Sequence, residues 1–267
     1  MLVWQTSQTI NFAQGEFVML PAFFVLAAMR FGELSFAAAL LVGLAVSVLV
    51  LGVLFKRVVV DPILRHGVLP LVISTLGLAI FFKEGVKEFY GAEAQGFPGV
   101  WPTTNVTLFG AVISAQSLVI IGVAVAAVAL LQYFLGGTRT GRQMQATAQN
   151  PTLARVLGIP VERMILYTFL VNAALVALAS FLVSPIYLAK FTNGELLGLA
   201  AFVAAIVGGF NQVRGAIVGG LLLGIVDNLV AAYWSSQYRA AFPLFLLIAV
   251  ILWRPQGLLG RAEERTV

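Results

Sequence analysis

The chain reads as a succession of long apolar runs separated by short clusters of charged and turn-forming residues. Eight runs are marked off in this way: Ile10–Met29, Leu34–Phe55, Leu69–Tyr90, Ser117–Phe134, Met164–Val183, Glu195–Phe210, Gly215–Trp234 and Ala240–Trp253. Most approach the ~20 residues that a helix rising 1.5 Å per residue needs to cross a hydrocarbon core. Strands of an outer-membrane barrel would alternate apolar and polar positions. These runs do not alternate, so they predict helices. The sixth is short, and a tilt or a break is expected at Gly208–Gly209. The first is not a signal peptide, because it lacks a basic start and is interrupted by Asn11, Gln14 and Glu16. The pattern therefore predicts an all-α, polytopic membrane protein with about eight transmembrane helices in a single domain over residues 1–267.

Composition agrees and removes the alternatives. Of 267 residues, 60% are hydrophobic and 10% charged, with a mean hydropathy of +0.99. A soluble core could not hide so much apolar surface, and a disordered chain would not carry it. There is no cysteine, which excludes disulfides and thiolate chemistry. The single histidine, His66, follows Arg65 in a charged loop and has no partners for a metal site.

The net charge of +5 fits a membrane orientation better than nucleic-acid binding. Eleven of the sixteen Lys and Arg fall in one set of loops: Lys56, Arg57, Arg65, Arg139, Arg142, Arg155, Arg163, Arg214, Arg254, Arg261 and Arg265. Arg30, Lys83, Lys87, Lys190 and Arg239 fall on the other side. The richer side is expected in the cytoplasm, and eight spans then bring both ends inward. The outer stretch Gly91–Gln116, rich in Gly, Pro, Thr and Asn, is expected to pack as an irregular cap. Lys83, Glu84, Lys87 and Glu88 suggest that the third span ends near Phe82 and continues at the interface.

The inner loop, about 136–163, departs from a passive connector. Its stretch Thr140–Met164 reads as two short helices, the second running from Pro151 to Leu157. Asn150 suits an N-cap, Pro151 the first helical position and Gly158 a left-handed stop, with Pro160 just beyond. A helix of two turns is marginal alone and must pack on something. Anionic lipid headgroups and a cytoplasmic protein are both candidate surfaces for it.

The residues of this loop resemble the cytoplasmic coupling loop of branched-chain amino acid ABC permeases. They are Gly141, Arg142, Met144, Ala146 and Ala148, then Asn150, Pro151, Ala154, Arg155, Leu157, Gly158 and Ile159. Ile10-Asn11-Phe12-Ala13-Gln14-Gly15-Glu16 is similar to an early membrane motif of the family's H-type subunit. Trp253-Arg254-Pro255-Gln256-Gly257-Leu258-Leu259-Gly260 resembles its C-terminal signature, and the glycine-rich region from Gly208 to Gly224 fits as well. The resemblance implies an importer of the bacterial cytoplasmic (inner) membrane, with this chain multi-pass and its C-terminus inside. The implied assembly has a second permease subunit, two cytoplasmic ATPase subunits and an extracytoplasmic substrate-binding protein that supplies the affinity. It also implies a further apolar helix ahead of Ile10, where this sequence holds nine residues.

No catalytic constellation is evident, and no cofactor or metal is expected. No Gly is followed by Lys, so there is no P-loop, and ATP hydrolysis falls to separate subunits. Polar residues within the spans are the candidates for the substrate path. Glu16, with Asn11 and Gln14, and Asp227, with Asn228, lie in apolar surroundings, where an acid is functional by default. The competing reading is structural, since such groups also hydrogen-bond neighbouring helices. Ser74 and Thr75 are weaker candidates, because helix hydroxyls can bond their own backbone. Gly215, Gly219, Gly220 and Gly224 form two small-residue repeats suited to close helix packing.

The function expected is that of an importer permease for branched-chain or other hydrophobic amino acids. Urea, short amides or other amino acids are alternatives within the family. An ion-coupled secondary transporter would need an internal repeat, and the second half does not repeat the first. An intramembrane enzyme would need a nucleophile–base set, which is not found. Impermeant thiol labelling of intact cells tests the topology. A cysteine at Gln149 is expected to stay unlabelled and one at Thr104 to react; the reverse pattern would invert the orientation.

Overall fold

A computed structural model of the chain describes residues 11–99, 105–108, 111–209, 212–234 and 241–260. Ile10, Thr104, Phe210, Arg239, Ala240, Arg261 and Arg265 lie outside the described residues. The chain divides into two compact units, Thr6–Gly194 and the chain from Glu195 onward. The first unit holds α1 (Gln14–Gly32), α2 (Phe36–Leu64) and α3 (Val68–Tyr90). A hairpin follows, β1 (Asn105–Leu108) with β2 (Ala111–Ser114), then α4 (Ala115–Gly137), α5 (Arg139–Gln149), α6 (Pro151–Val156) and α7 (Val161–Tyr187). The helix α8 (Asn193–Gly208) begins at the edge of this unit and leads into α9 (Val213–Tyr233) and α10 (Phe242–Trp253).

Among the described residues, α1, α2, α3, α4, α7 and α9 are long and apolar enough to cross a membrane. The apolar helices α8 and α10, of 16 and 12 residues, are shorter than a span requires. The eight apolar runs thus give eight helices, six of them of spanning length.

Two features differ from the sequence reading. The helix α2 does not stop at Phe55 but runs to Leu64, because Lys56 is buried and bonded to Asp61 on the same helix. Its charge is neutralised in place and does not end the helix. The helix α3 runs on past Phe82 to Tyr90, as the sequence led one to expect, with Lys87 and Glu84 paired at 3.2 Å along its surface. The stretch expected as an irregular cap is not wholly irregular. Its β1 and β2 pair antiparallel, with Asn105 opposite Ser114 and Leu108 opposite Ala111, and Gln95 bridges to Ala189.

The core of the first unit lies where α1, α2 and α7 meet. Phe17 and Phe55 stack edge-on at 4.8 Å, and Phe55 lies 6.1 Å from Phe169. Glycines let the backbones approach. A methyl group at Gly43 would stand 2.5 Å from Val25 Cγ2, and one at Gly52 would stand 3.1 Å from Leu170 Cδ2. Pro21 removes one amide from the α1 ladder, and the next amide, Ala22 N–H, donates to Ser180 Oγ of α7 at 3.2 Å.

In the second unit α8 and α9 are in backbone contact. Gly215 and Gly219 of α9 face Gly208 and the Ala204 carbonyl of α8, so the first small-residue repeat packs within the chain. Gly220 and Gly224 have open space around them. Val203, Val207, Leu223 and Val250 fill the core. Helix α8 does end at Gly208, followed by Gly209 at φ +116°. The C-terminal segment then folds back on it: Leu258 N–H donates to Val207 O at 2.9 Å and Leu259 N–H to Gly208 O at 3.0 Å. Gly257, at φ +79°, is required there, since a side chain would strike Gly209 and the Ile206 carbonyl.

Gly219→Val is therefore expected to destabilise the detergent-solubilised subunit by roughly 1–3 kcal/mol or more, since overpacking against backbone cannot relax. Gly220→Val, into open space, should leave thermal stability nearly unchanged. Equal effects of the two in a thermal-shift measurement would remove the packing role of the repeat.

Candidate functional site

A polar cluster forms where the first motif enters α1. Asn11 Oδ1 accepts from Ala13 N–H at 3.0 Å and Asn11 O accepts from Gln14 N–H at 3.2 Å, which fixes the turn before the helix. Phe12 N–H donates to Thr75 Oγ1 of α3 at 3.3 Å. Gln14 exchanges two amide hydrogen bonds with Asn172 of α7, both at 3.3 Å. Glu16, 5% exposed, sits in the first turn of α1, where the helix dipole favours a carboxylate. Gly194, in the same unit at the start of α8, presses its backbone onto that side chain, and a methyl group there would lie 2.6 Å from Glu16 Cδ.

The structure thus gathers Asn11, Gln14, Glu16 and Thr75 but leaves Ser74 out. Ser74 turns away and donates to Pro70 O at 2.8 Å. Thr75 is buried and also donates to Val72 O at 2.9 Å. Asp227 and Asn228 belong to the second unit. Asp227 is half-buried on α9, and Asn228 is exposed with its amide on Gly224 O at 2.8 Å. The sequence reading missed Asn172 and Gly194. Asn172 carried a usable signal, as an amide within an apolar run; Gly194 carried none.

The loop at residues 136–163 forms a second constellation. Thr138 caps α5, accepting from Gly141 N–H at 3.0 Å and donating to Phe134 O at 2.6 Å. Gly141 is buried against the last turn of α4, where any side chain would strike the Phe134 and Leu135 backbone. Arg142 reaches back to the Gly136 and Gly137 carbonyls at 3.4 Å, satisfying the end of α4. Met144 and Thr147 are buried and Ala148 half-buried, and with Gly141 they give α5 one inward face; Ala146, half-buried, lies on another side. Asn150 Oδ1 accepts from Leu153 N–H at 2.9 Å, and Pro151 follows at the first helical position of α6.

Helix α6 ends in a two-bond lock. Ile159 N–H donates to Ala154 O and Gly158 N–H to Arg155 O, each at 3.0 Å, with Gly158 at φ +76°. This is the Schellman pattern, which needs a left-handed residue at that point. Ala154 is buried beneath α6, while Leu153, Val156 and Leu157 are 55%, 79% and 69% exposed. A charged, turn-rich segment therefore holds out an apolar surface on a rigid frame.

Comparison with known proteins fits this arrangement. The family described as branched-chain amino acid transport system / permease component matches residues 1–251. The chain belongs to this family. The high-affinity branched-chain amino acid transport system permease protein LivH of Escherichia coli K12 is 34% identical over 270 residues, covering 97% of this chain and 88% of that one. BraD of Pseudomonas aeruginosa, a permease protein of the same description, is 34% identical over 272 residues with the same coverage. A probable LivH of Methanocaldococcus jannaschii is 28% identical, covering 97% of this chain and 85% of its own. No solved structure matches the chain. This permease carries several helices long and apolar enough to cross a membrane, as a multi-pass protein of a transport family does.

The reciprocal amide pair of the permease gives a direct test of helix registration. In a double-mutant cycle of Gln14→Leu and Asn172→Leu, the coupling between the two sites is expected at ~0.6–1.7 kcal/mol, the range for hydrogen bonds between membrane helices. Thermal stability of the purified subunits reads it. Additive effects would show that the pair does not hold α1 to α7.

Proposed function

We propose that this chain is the membrane subunit of an ATP-driven importer for branched-chain or other hydrophobic amino acids in the bacterial cytoplasmic membrane. It works with a second permease subunit, two cytoplasmic ATPase subunits and an extracytoplasmic binding protein. Family membership and the functions that the relatives are named for support the substrate class. The observation that carries the mechanism is the α5–α6 element with its exposed Leu153, Val156 and Leu157.

Such a surface on a charged loop is costly in water and suits a partner that covers it. The chain has no P-loop of its own, so the work of hydrolysis must enter from another polypeptide. The α5–α6 element is anchored at both ends, by Gly141 on α4 and by the Gly158 lock before α7. A push on α6 then moves α4 and α7 together with it instead of bending a slack loop. The polar cluster at the head of α1 supplies amides and a carboxylate for the zwitterionic end of an amino acid. Tight binding is left to the external protein.

Gly158→Val tests the element. The site has open space around it, so strain comes only from the left-handed backbone. That strain costs a non-Gly residue roughly 1 kcal/mol or more. The subunit should insert and be recovered normally, while the ATPase rate stimulated by loaded binding protein falls roughly five- to tenfold. Normal stimulation would make residues 150–158 a passive connector.

A further inference from the structure

Lys56 was counted from the sequence as a loop charge, yet its side chain is 7% exposed. The reason lies in the winding of α2. From Val48 to Val60 the helix is π-wound, over 13 residues, between α-helical ends. Its buried positions are Leu51, Gly52, Phe55, Lys56 and Val60, continuing the line of Ser47. That spacing follows roughly 4.4 residues per turn, as i→i+5 bonding gives. Ser47 and Lys56, nine positions apart, are then about two full turns apart and share a face. At 3.6 residues per turn they would be two and a half turns apart, and Lys56 would point outward. Long π-helical segments are rare, and short ones gather at functional sites.

The same face packs on α7, through Gly52 on Leu170 and Phe55 on Phe169. Lys56 is the next step along it. Its ammonium takes both carboxylate oxygens of Asp61 at 2.8 Å and lies 3.9 Å from Glu162 at the start of α7. Glu162 in turn lies 3.6 Å from the guanidinium of Arg155 on α6. A buried cation cannot be left alone, so Asp61 fixes it. Glu162 is placed between this fixed charge and the short helix.

We infer that Lys56 is a positioning residue that keys α6 to the membrane helix α2 through Glu162 and Arg155. Glu162, exposed like Arg155, is drawn to two cations, one immobile and one on α6, so it biases the orientation of α6 toward that of the π-wound segment. The inference deepens the docking reading and rests on it for its consequence in transport, but the keying itself is measurable without any ATPase.

The test uses the full chain in lipid nanodiscs, spin-labelled at Leu54→Cys and Thr152→Cys, both exposed and in a chain without native cysteine. Glu162→Gln removes the shared charge and leaves the Lys56–Asp61 pair intact, so the protein should fold normally. The distance distribution between the labels should widen roughly twofold, since a short helix depends on its contacts for order. Arg163→Gln, a neighbouring exposed charge, should leave the width unchanged. Lys56→Met should widen it as Glu162→Gln does; if Lys56→Met is not recovered, Glu162→Gln carries the test alone. An unchanged width in Glu162→Gln, or equal widening in Arg163→Gln, overturns the inference.

In the assembled transporter, Glu162→Gln should keep the ATPase bound, because Leu153, Val156 and Leu157 are untouched. Transport per ATP should fall roughly threefold, within the range by which residues along a coupling route act. Unchanged transport per ATP would overturn the role in coupling. If Gly158→Val couples normally while the Glu162→Gln distribution widens, the docking reading falls and the keying stands.

Discussion

Apolar surroundings offer no partner to a free amide or carbonyl, so every break in a membrane helix must be repaired from within the protein. The fold is organised around such repairs. Beside Pro21, which takes one donor out of the α1 ladder, Ala22 N–H donates to Ser180 Oγ of α7 and ties the two helices at that point. Where α8 stops at Gly208, its last carbonyls accept from Leu258 and Leu259. The C-terminal signature is thus a cap for a helix some fifty residues earlier in the chain. Ser47, Thr75 and Thr168 donate their hydroxyls to carbonyls of their own helices.

The same constraint explains the glycines. Helices in lipid gain little from burying apolar side chains against each other, so they associate through close van der Waals contact and hydrogen bonds. Gly43, Gly52, Gly215 and Gly219 stand where one helix meets the backbone or a methyl group of another. Gly141 does the same at the turn from α4 into α5. These positions determine the spacing between helices, and that spacing places the polar groups of α1 against α3 and α7.

Charge is used sparingly and always in context. Lys56 is tolerated inside because Asp61 neutralises it with two oxygens, and the π winding of α2 brings it to that face. Glu16 occupies a helix start, where the local dipole suits it. At the α5–α6 loop the arrangement inverts: the charged segment surrounds an exposed apolar patch instead of the reverse. The exposed apolar patch is thus carried on a segment held at both ends by capped turns.

Long apolar runs were sufficient to give the helices, because a membrane leaves a chain of this composition no other spanning structure. The short-range capping of α6 was legible too, since Asn150, Pro151 and Gly158 act within one turn of where they stand. Family membership was readable from motifs for the same reason of locality. Other features depend on residues far apart in sequence. Asn172 finds Gln14 across 158 positions, and Gly194 earns its place only because α8 begins against Glu16. The two glycine repeats of α9 look alike in sequence, yet only Gly215 and Gly219 meet α8, because a helix turns its two faces to different neighbours. The hidden Lys56 is the clearest case. Its sequence neighbours mark a loop, and only the winding of α2 and the proximity of Asp61 and Glu162 make burial of its charge possible.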